Sequence, residues 1–133
     1  MSISHGKLLP IVLAGEIVHG RALGRTVGMP TANIQIQDAN VLPEVGVYAT
    51  RIQVDGGVYP SVTNIGRRPT VDDESHITVE TFIIDFNQEI YGEQVVLEVH
   101  KFLRPIQKFE SLQEVQKQVQ KDIESAKIYF KEM

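Results

Sequence analysis

Residues able to do chemistry are concentrated early in the chain. Positions 15–33 read Gly15-Glu16-Ile17-Val18-His19-Gly20-Arg21-Ala22-Leu23-Gly24-Arg25-Thr26-Val27-Gly28-Met29-Pro30-Thr31-Ala32-Asn33. Gly15, Gly20, Gly24 and Gly28 interleave with Arg21 and Arg25. Glycine lets a backbone approach a polyanion closely, exposed N–H groups can line an anion cradle, and arginine adds positive charge. No Gly-Lys-Ser/Thr follows, which excludes a Walker loop, and the spacing is wrong for a dinucleotide fingerprint. Without further context, a glycine-rich loop between two strands is the commoner meaning. At the end of the stretch, Thr31 and Asn33 stand two residues apart, so on an extended segment a hydroxyl and a carboxamide share one face. Both are neutral oxygen ligands suited to Mg²⁺, which takes few protein ligands beside phosphates and water. Closing a turn is the competing role for such residues.

A third candidate is Glu80. Alternation sets it with Thr78, Phe82, Ile84 and Phe86, opposite Ile77, Val79, Thr81 and Ile83. A carboxylate among apolar neighbours costs free energy unless it has a partner or a task. A rim carboxylate paired with a cation is the alternative. His5, His19, His76 and His100 show no ligand spacing, which argues against a histidine metal site. Arg67 and Arg68 read as a solvated basic pair, and Tyr91 before Gly92 as a turn anchor.

The elements that must position these residues follow from apolar period. Residues 1–9 read as a lead or linker, with a domain beginning near Ile11. Strands are expected at Ile11–Val18 and Ala32–Ile36. Val47–Val54 puts Tyr48, Thr50, Ile52 and Val54 on one face, and Val58–Ile65 follows across Asp55-Gly56-Gly57, a strong hairpin signal. Ile77–Phe86 and Gln94–Leu103 read as a second pair joined around Asn87 and Gly92. Leu112, Val115, Val119, Ile123, Ala126 and Phe130 recur at helical spacing, and Ser111 with Glu114 three residues on forms a capping box. These signals predict one helix over 112–131. Five or six short strands with a terminal helix imply an all-β fold, a small closed or nearly closed barrel with the helix laid against it.

Composition bounds the function. The chain has 133 residues, 42% hydrophobic and 23% charged, with no Cys and a formal net charge of −4. That length fits one domain, able to bury a core without staples. The lack of Cys removes disulfides and thiolate chemistry and fits a cytoplasmic protein. The acidic balance argues against nucleic-acid binding, and no apolar run reaches the ~20 residues a bilayer requires.

At this point the sequence resembles a known family. Gly24-Arg25-Thr26-Val27-Gly28-Met29-Pro30-Thr31-Ala32-Asn33 is similar to the Gly-Arg-x-x-Gly-x-Pro-Thr-Ala-Asn signature of riboflavin kinases of the bacterial and eukaryotic type. Seven fixed positions recur by chance on the order of once in a billion starts at about 5% usage each. Leu42-Pro43, Gly46-Val47-Tyr48-Ala49, Asn64-Ile65-Gly66-Arg67-Arg68-Pro69-Thr70-Val71, Val79-Glu80-Thr81, Asp85-Phe86, Ile90-Tyr91-Gly92, Phe102-Leu103-Arg104-Pro105, Lys108-Phe109, Ser111-Leu112 and Asp122-Ile123 follow in family order. The likeness covers nearly all of residues 11–130. Met29 and Val27 depart from the usual aromatic and Leu, and Phe82 stands where relatives often have His.

The resemblance implies a six-stranded antiparallel Greek-key barrel and ATP-dependent phosphorylation of riboflavin to FMN, with release of ADP. It implies that Thr31 and Asn33 hold Mg²⁺ (or Zn²⁺ or Mn²⁺) and nucleotide phosphates. The segment bearing Gly15, Gly20, Gly24, Arg25 and Gly28 would be a flap over the nucleotide. Glu80 matches the catalytic carboxylate, while Gly66, Arg68, Pro69, Thr70 and Arg104 would lie near the flavin. No nucleic-acid or membrane partner is expected, and the protein is expected to be a monomer. Two alternatives stay open: a non-catalytic flavin- or FMN-binding module, and the kinase half of a bifunctional FAD synthetase. Leu8-Leu9-Pro10 resembles the linker of such synthetases, whereas their His-x-Gly-His-type motif is absent.

Overall fold

The computed structural model of the protein describes residues 3–4, 7–18, 31–37, 42–69, 75–86 and 88–132. Strands β1 (Ile3–Ser4) and β2 (Lys7–Leu8) form a two-stranded ladder of their own. Strands β3 (Ile11–Val18), β4 (Ala32–Ile36), β5 (Gly46–Val54), β6 (Gly57–Pro69), β7 (Ser75–Ile83) and β8 (Gln94–Arg104) close a barrel in the order β3-β4-β7-β6-β5-β8. Every neighbouring pair is antiparallel. Strands β5, β6 and β7 run side by side and β8 returns beside β5, which is the Greek-key connection.

Local chemistry explains the best-defined hairpin. Asp55 and Gly56 have φ of 51° and 77°, and Val54 pairs with Gly57 around them. Two consecutive positive φ values match the twist of a tight hairpin, a conformation Asp tolerates and Gly adopts without cost. That turn pins β5 to β6 over nine cross-strand pairs.

Alternation then sorts the side chains. Tyr48, Thr50, Ile52 and Val54 all point inward and are fully buried, joined by Leu13, Ile17, Ile34, Ile65, Val79, Leu97 and Val99. A polar chain runs through this core. Thr50 hydrogen-bonds Ser61 at 2.7 Å and Thr63 at 2.8 Å, and Thr63 hydrogen-bonds Thr81 at 2.8 Å. These hydroxyls of β5, β6 and β7 satisfy one another, so their burial carries little penalty.

The outer wall of β5 and β6 carries a second cluster, Val47, Ala49 and Val62, covered by Ile123 and Ala126 of helix α1 (Leu112–Lys131). Ser111 caps this helix by accepting from the Glu114 N–H at 3.2 Å. The Glu114 carboxylate accepts from the Glu110 N–H rather than from that of Ser111, a variant of the expected capping box. Strand β8 adapts to the helix with two bulges against β5. Its partners jump from Arg104 to Phe102 and from Lys101 to Val99, leaving Leu103 and His100 as extra residues. A bulge re-aims the side chains around it. Here Leu103 joins the cluster under α1, and His100 packs on Tyr129 and Phe130.

Three sequence expectations change. Strands β7 and β8 are not a hairpin: β7 lies between β4 and β6, and β8 between β3 and β5. The connection between them crosses one end of the barrel, where the Ile17 N–H donates to the Glu93 carbonyl and the Gly92 N–H to the Ile17 carbonyl. Proximity in sequence suggested the pairing, but closure of the sheet requires β8 on the far side. Strand β6 extends to Pro69, since β7 begins at Ser75 and supplies ladder partners to residues 66–69. Ahead of β3, Leu9 is 1% exposed and packs in the interior cluster. Leu112 is 51% exposed, so the apolar stripe of α1 engages the barrel only further along.

Gly15 is a tight point in the wall. A Cβ there would lie 2.6 Å from the Gln35 carbonyl oxygen and 2.7 Å from Ile34 Cγ2. Gly15→Ala should therefore force β3 and β4 apart and lower the unfolding free energy by about 1–3 kcal/mol, the usual range for overpacking. Thermal denaturation measures this, and an unchanged midpoint would show that the wall yields without cost.

Candidate active site on the outer barrel wall

The face assignment that buries Val79, Thr81 and Ile83 turns Glu80 outward. The ladder then decides its neighbours. Glu80 is the cross-strand partner of Asn33 on β4 and of Asn64 on β6. Three polar side chains thus stand in one row across β4, β7 and β6. Adjacent strands are about 4.8 Å apart, so the row spans roughly 10 Å. Thr31, two residues before Asn33, donates its hydroxyl to Glu80 Oε1 at 3.1 Å. Among the described residues this is the one hydrogen bond made by the Glu80 carboxylate. Thr31, Asn33 and Glu80 are each half-buried, shielded but open to a ligand.

Beside the row, Gly66 pairs with Thr78. A Cβ added to Gly66 would stand 3.4 Å from Thr78 Oγ1 and 3.7 Å from Asn64 Oδ1, both ordinary contact distances. Steric need therefore does not impose glycine here, and its effect is to leave bare backbone between the Thr78 hydroxyl and the Asn64 carboxamide. The patch is a shallow floor with a carboxylate, an amide and a hydroxyl around it.

The donor set fits a hard cation. Thr31 Oγ1, Asn33 Oδ1 and the Glu80 carboxylate are oxygen donors on one face, the ligand class of Mg²⁺. Among the described residues no cluster of three His, Cys, Asp or Glu exists that would hold a metal by protein ligands alone.

The other sequence candidates fall in different places. Gly20, Gly24, Arg25 and Gly28 lie outside the described residues, as does Thr70. The described residues that flank the segment carrying the first four are Val18, itself the cross-strand partner of Asn33, and Thr31, so both flanks lie at the row. Gly15 is buried in the wall between β3 and β4, where close approach of the Gln35 backbone accounts for its lack of a side chain. Arg68 and Pro69 end β6 opposite His76 and Ser75. Arg104 belongs to a buried ion pair. Its Nε donates to Asp122 Oδ1 at 3.0 Å and Nη2 to Oδ2 at 2.9 Å, while Nη1 donates to the Pro105 carbonyl. Gln118 adds a further donor to Asp122 at 3.1 Å.

Two residues gained meaning only from the structure. Asn64 was visible as part of a motif, but its place beside Glu80 depends on the β6–β7 register, which sequence spacing does not supply. Asp122 interrupts the apolar face of α1 and is 3% exposed. A buried charge at such a position signals a partner, and only the fold identifies it as Arg104.

Comparison with known proteins identifies the family of the chain. The family model described as riboflavin kinase matches residues 8–130. The chain is 38% identical over 123 residues to a bifunctional riboflavin kinase/FMN adenylyltransferase of Bacillus subtilis, covering 91% of this chain and 39% of that protein. It thus spans about two-fifths of the length of the curated relatives it matches. Among solved structures, riboflavin kinase from Trypanosoma brucei superposes with a TM-score of 0.65 at 28% identity, over 95% of this chain and 83% of that one. A protein of Streptococcus pneumoniae described as a macrolide-efflux protein superposes with a TM-score of 0.82 at 35% identity, over 89% of this chain and 38% of that one.

The Arg104–Asp122 pair ties the end of β8 to α1, with side chains 16% and 5% exposed. Asp122→Ala would leave the guanidinium without its counter-ion, and breaking a buried pair this way costs about 3–5 kcal/mol. Urea unfolding should show a loss near the lower end of that range, because Arg104 keeps some contact with water. A loss below ~1 kcal/mol, the value of an exposed pair, would show that the pair does not hold the helix.

Proposed function

The chain belongs to the riboflavin kinase family, and we propose that it transfers the γ-phosphoryl group of ATP to the 5′-hydroxyl of the ribityl chain of riboflavin, giving FMN and ADP. The observation that carries this reading is the Thr31–Glu80 hydrogen bond with Asn33 in register beside it. It sets a carboxylate able to take a proton next to oxygen donors suited to a metal–phosphate complex.

In the proposed reaction Glu80 orients the ribityl hydroxyl and accepts its proton. The O–H bond breaks as the new O–P bond forms, and the bond from Pγ to the β,γ-bridging oxygen breaks, its electron pair leaving with ADP. Such transfers pass through a loose transition state, so placement and charge neutralisation outweigh base strength. Thr31 and Asn33 would hold Mg²⁺, with Zn²⁺ or Mn²⁺ as other candidates, which would supply charge neutralisation at the phosphates when bound. Gly20, Gly24, Arg25 and Gly28 would cover the nucleotide from the segment whose flanks lie at the row. Gly66, Arg68, Pro69 and Thr70 would face the flavin. Arg104 would serve that side by fixing the start of the segment from Pro105 to α1, since its guanidinium is bound to Asp122.

Acidic composition supports a protein without a nucleic-acid partner, and a cytoplasmic monomer completes the reading. Among the described residues no helix is long and apolar enough to cross a membrane.

Incubation with riboflavin, ATP and Mg²⁺ should yield FMN by chromatography, and FMN supplied with ATP should not yield FAD. Flavin bound without any FMN formed would replace the kinase by a binding module. Glu80→Gln should lower turnover roughly 10²–10⁴-fold, the usual share of a positioned base, with ADP affinity unchanged. Wild-type turnover in that variant would remove Glu80 from the mechanism. Asn33→Ala should raise the Mg²⁺ concentration needed for half-maximal rate, and an unaltered requirement would place the ion elsewhere.

A further inference from the structure

Asn64 has no evident structural reason to be where it is. Asparagine is depleted in strands, because its side chain competes for backbone hydrogen bonds and packs poorly on a pleated surface. Yet it lies inside β6, on the outer face, exposed to solvent, and in register with Glu80. Among the described residues its carboxamide makes no hydrogen bond. Its Oδ1 lies over the bare backbone left by Gly66, beside the Thr78 hydroxyl. Two donors and an acceptor are therefore presented at the wall with no partner among the described residues.

The reaction geometry says what approaches that position. An in-line transfer needs the attacking hydroxyl and the leaving oxygen on opposite sides of the phosphoryl group. Thr31 and Asn33 occupy one flank of Glu80, which is the flank assigned to the phosphates. The acceptor must reach Glu80 from the other flank, and the side chain next to Glu80 there is Asn64. Directly opposed residues on neighbouring strands have Cβ atoms about 4.5–5.5 Å apart. A chain that places its terminal hydroxyl at the Glu80 carboxylate therefore lays its following carbons beside the Asn64 carboxamide.

We propose that Asn64 recognises the polyhydroxyl chain of the acceptor, hydrogen-bonding hydroxyls behind the one that Glu80 deprotonates, and thereby selects a polyol-bearing substrate over one with a plain alkyl alcohol. The proposal rests on the kinase reading above and adds a specificity residue to it. Asn64 touches substrate carbons that do not react, so its effect falls on discrimination between acceptors rather than on the chemical step.

The test compares two acceptors on wild-type protein and Asn64→Ala: riboflavin, and a flavin whose N10 substituent is 5-hydroxypentyl, which keeps the terminal hydroxyl and lacks the others. Phosphorylated flavin is measured with Mg²⁺-ATP, and kcat/KM is obtained for each. Wild-type protein should prefer riboflavin. In Asn64→Ala this preference should shrink by about 10-fold, the equivalent of one or two neutral hydrogen bonds. The hydroxypentyl flavin should be turned over as before, and ADP affinity and thermal midpoint should match wild type. An equal fall with both acceptors, or an unchanged preference, would overturn the role of Asn64 while leaving the kinase reading intact. Failure of wild-type protein to phosphorylate either flavin would overturn that reading and this proposal together.

Discussion

Closure of the barrel is the constraint from which the site follows. In a closed antiparallel sheet each strand has two neighbours and each residue one of two faces. Fixing the register of one pair therefore propagates around the ring. The Asp55–Gly56 turn sets β5 against β6, and β6 sets β7. The short β4 completes the ring with two pairs to β7, one of which is Asn33 with Glu80. A one-residue slip of β7 against β4 and β6 would turn Glu80 into the apolar interior, where an unpaired carboxylate is costly. Core packing and site assembly are thus one condition.

The barrel interior and the helix contribute unequally to the site. Inside, the linked hydroxyls of β5, β6 and β7 bind the strands that carry Asn64 and Glu80. Outside, α1 covers β5 and β6 and stops short of the polar row. Asp122 grips Arg104, the cross-strand partner of Val47, which in turn pairs with Asn64. The helix is therefore tied to the same transverse line of residues that contains Glu80. Among the described residues the row stays partly exposed, which suits the two-substrate reaction proposed above.

Much of this was legible from residue order. The bounds of β3, β4 and α1 follow from apolar period, and the β5–β6 turn from its Asp-Gly pair. Glu80 and the Thr31–Asn33 pair stand out by type and spacing, and the structure joins them by a hydrogen bond. What could not be read is whatever depends on contacts distant in sequence. Strands β7 and β8 look like a hairpin because a turn signal lies between them, yet β3 and β4 separate them on one side of the ring and β5 and β6 on the other. The Asp122 partner of Arg104 comes from the helix, 18 residues on, and residue order does not pair the two. The close approach of Gln35 to Gly15 likewise depends on the β3–β4 register.

The hydroxyl chain in the core has a further consequence for how this wall can vary. Removing one member, such as Thr63, would take the hydrogen-bond partner from the Thr81 hydroxyl and one of two partners from that of Thr50, which keeps Ser61. Replacing all of them by apolar groups of similar shape would strand none, and such wholesale exchange can be nearly neutral. The layer is thus easier to rewrite as a block than residue by residue. Over a lineage, the four positions should appear either as a matched polar set or as a matched apolar set, with mixed states short-lived between them.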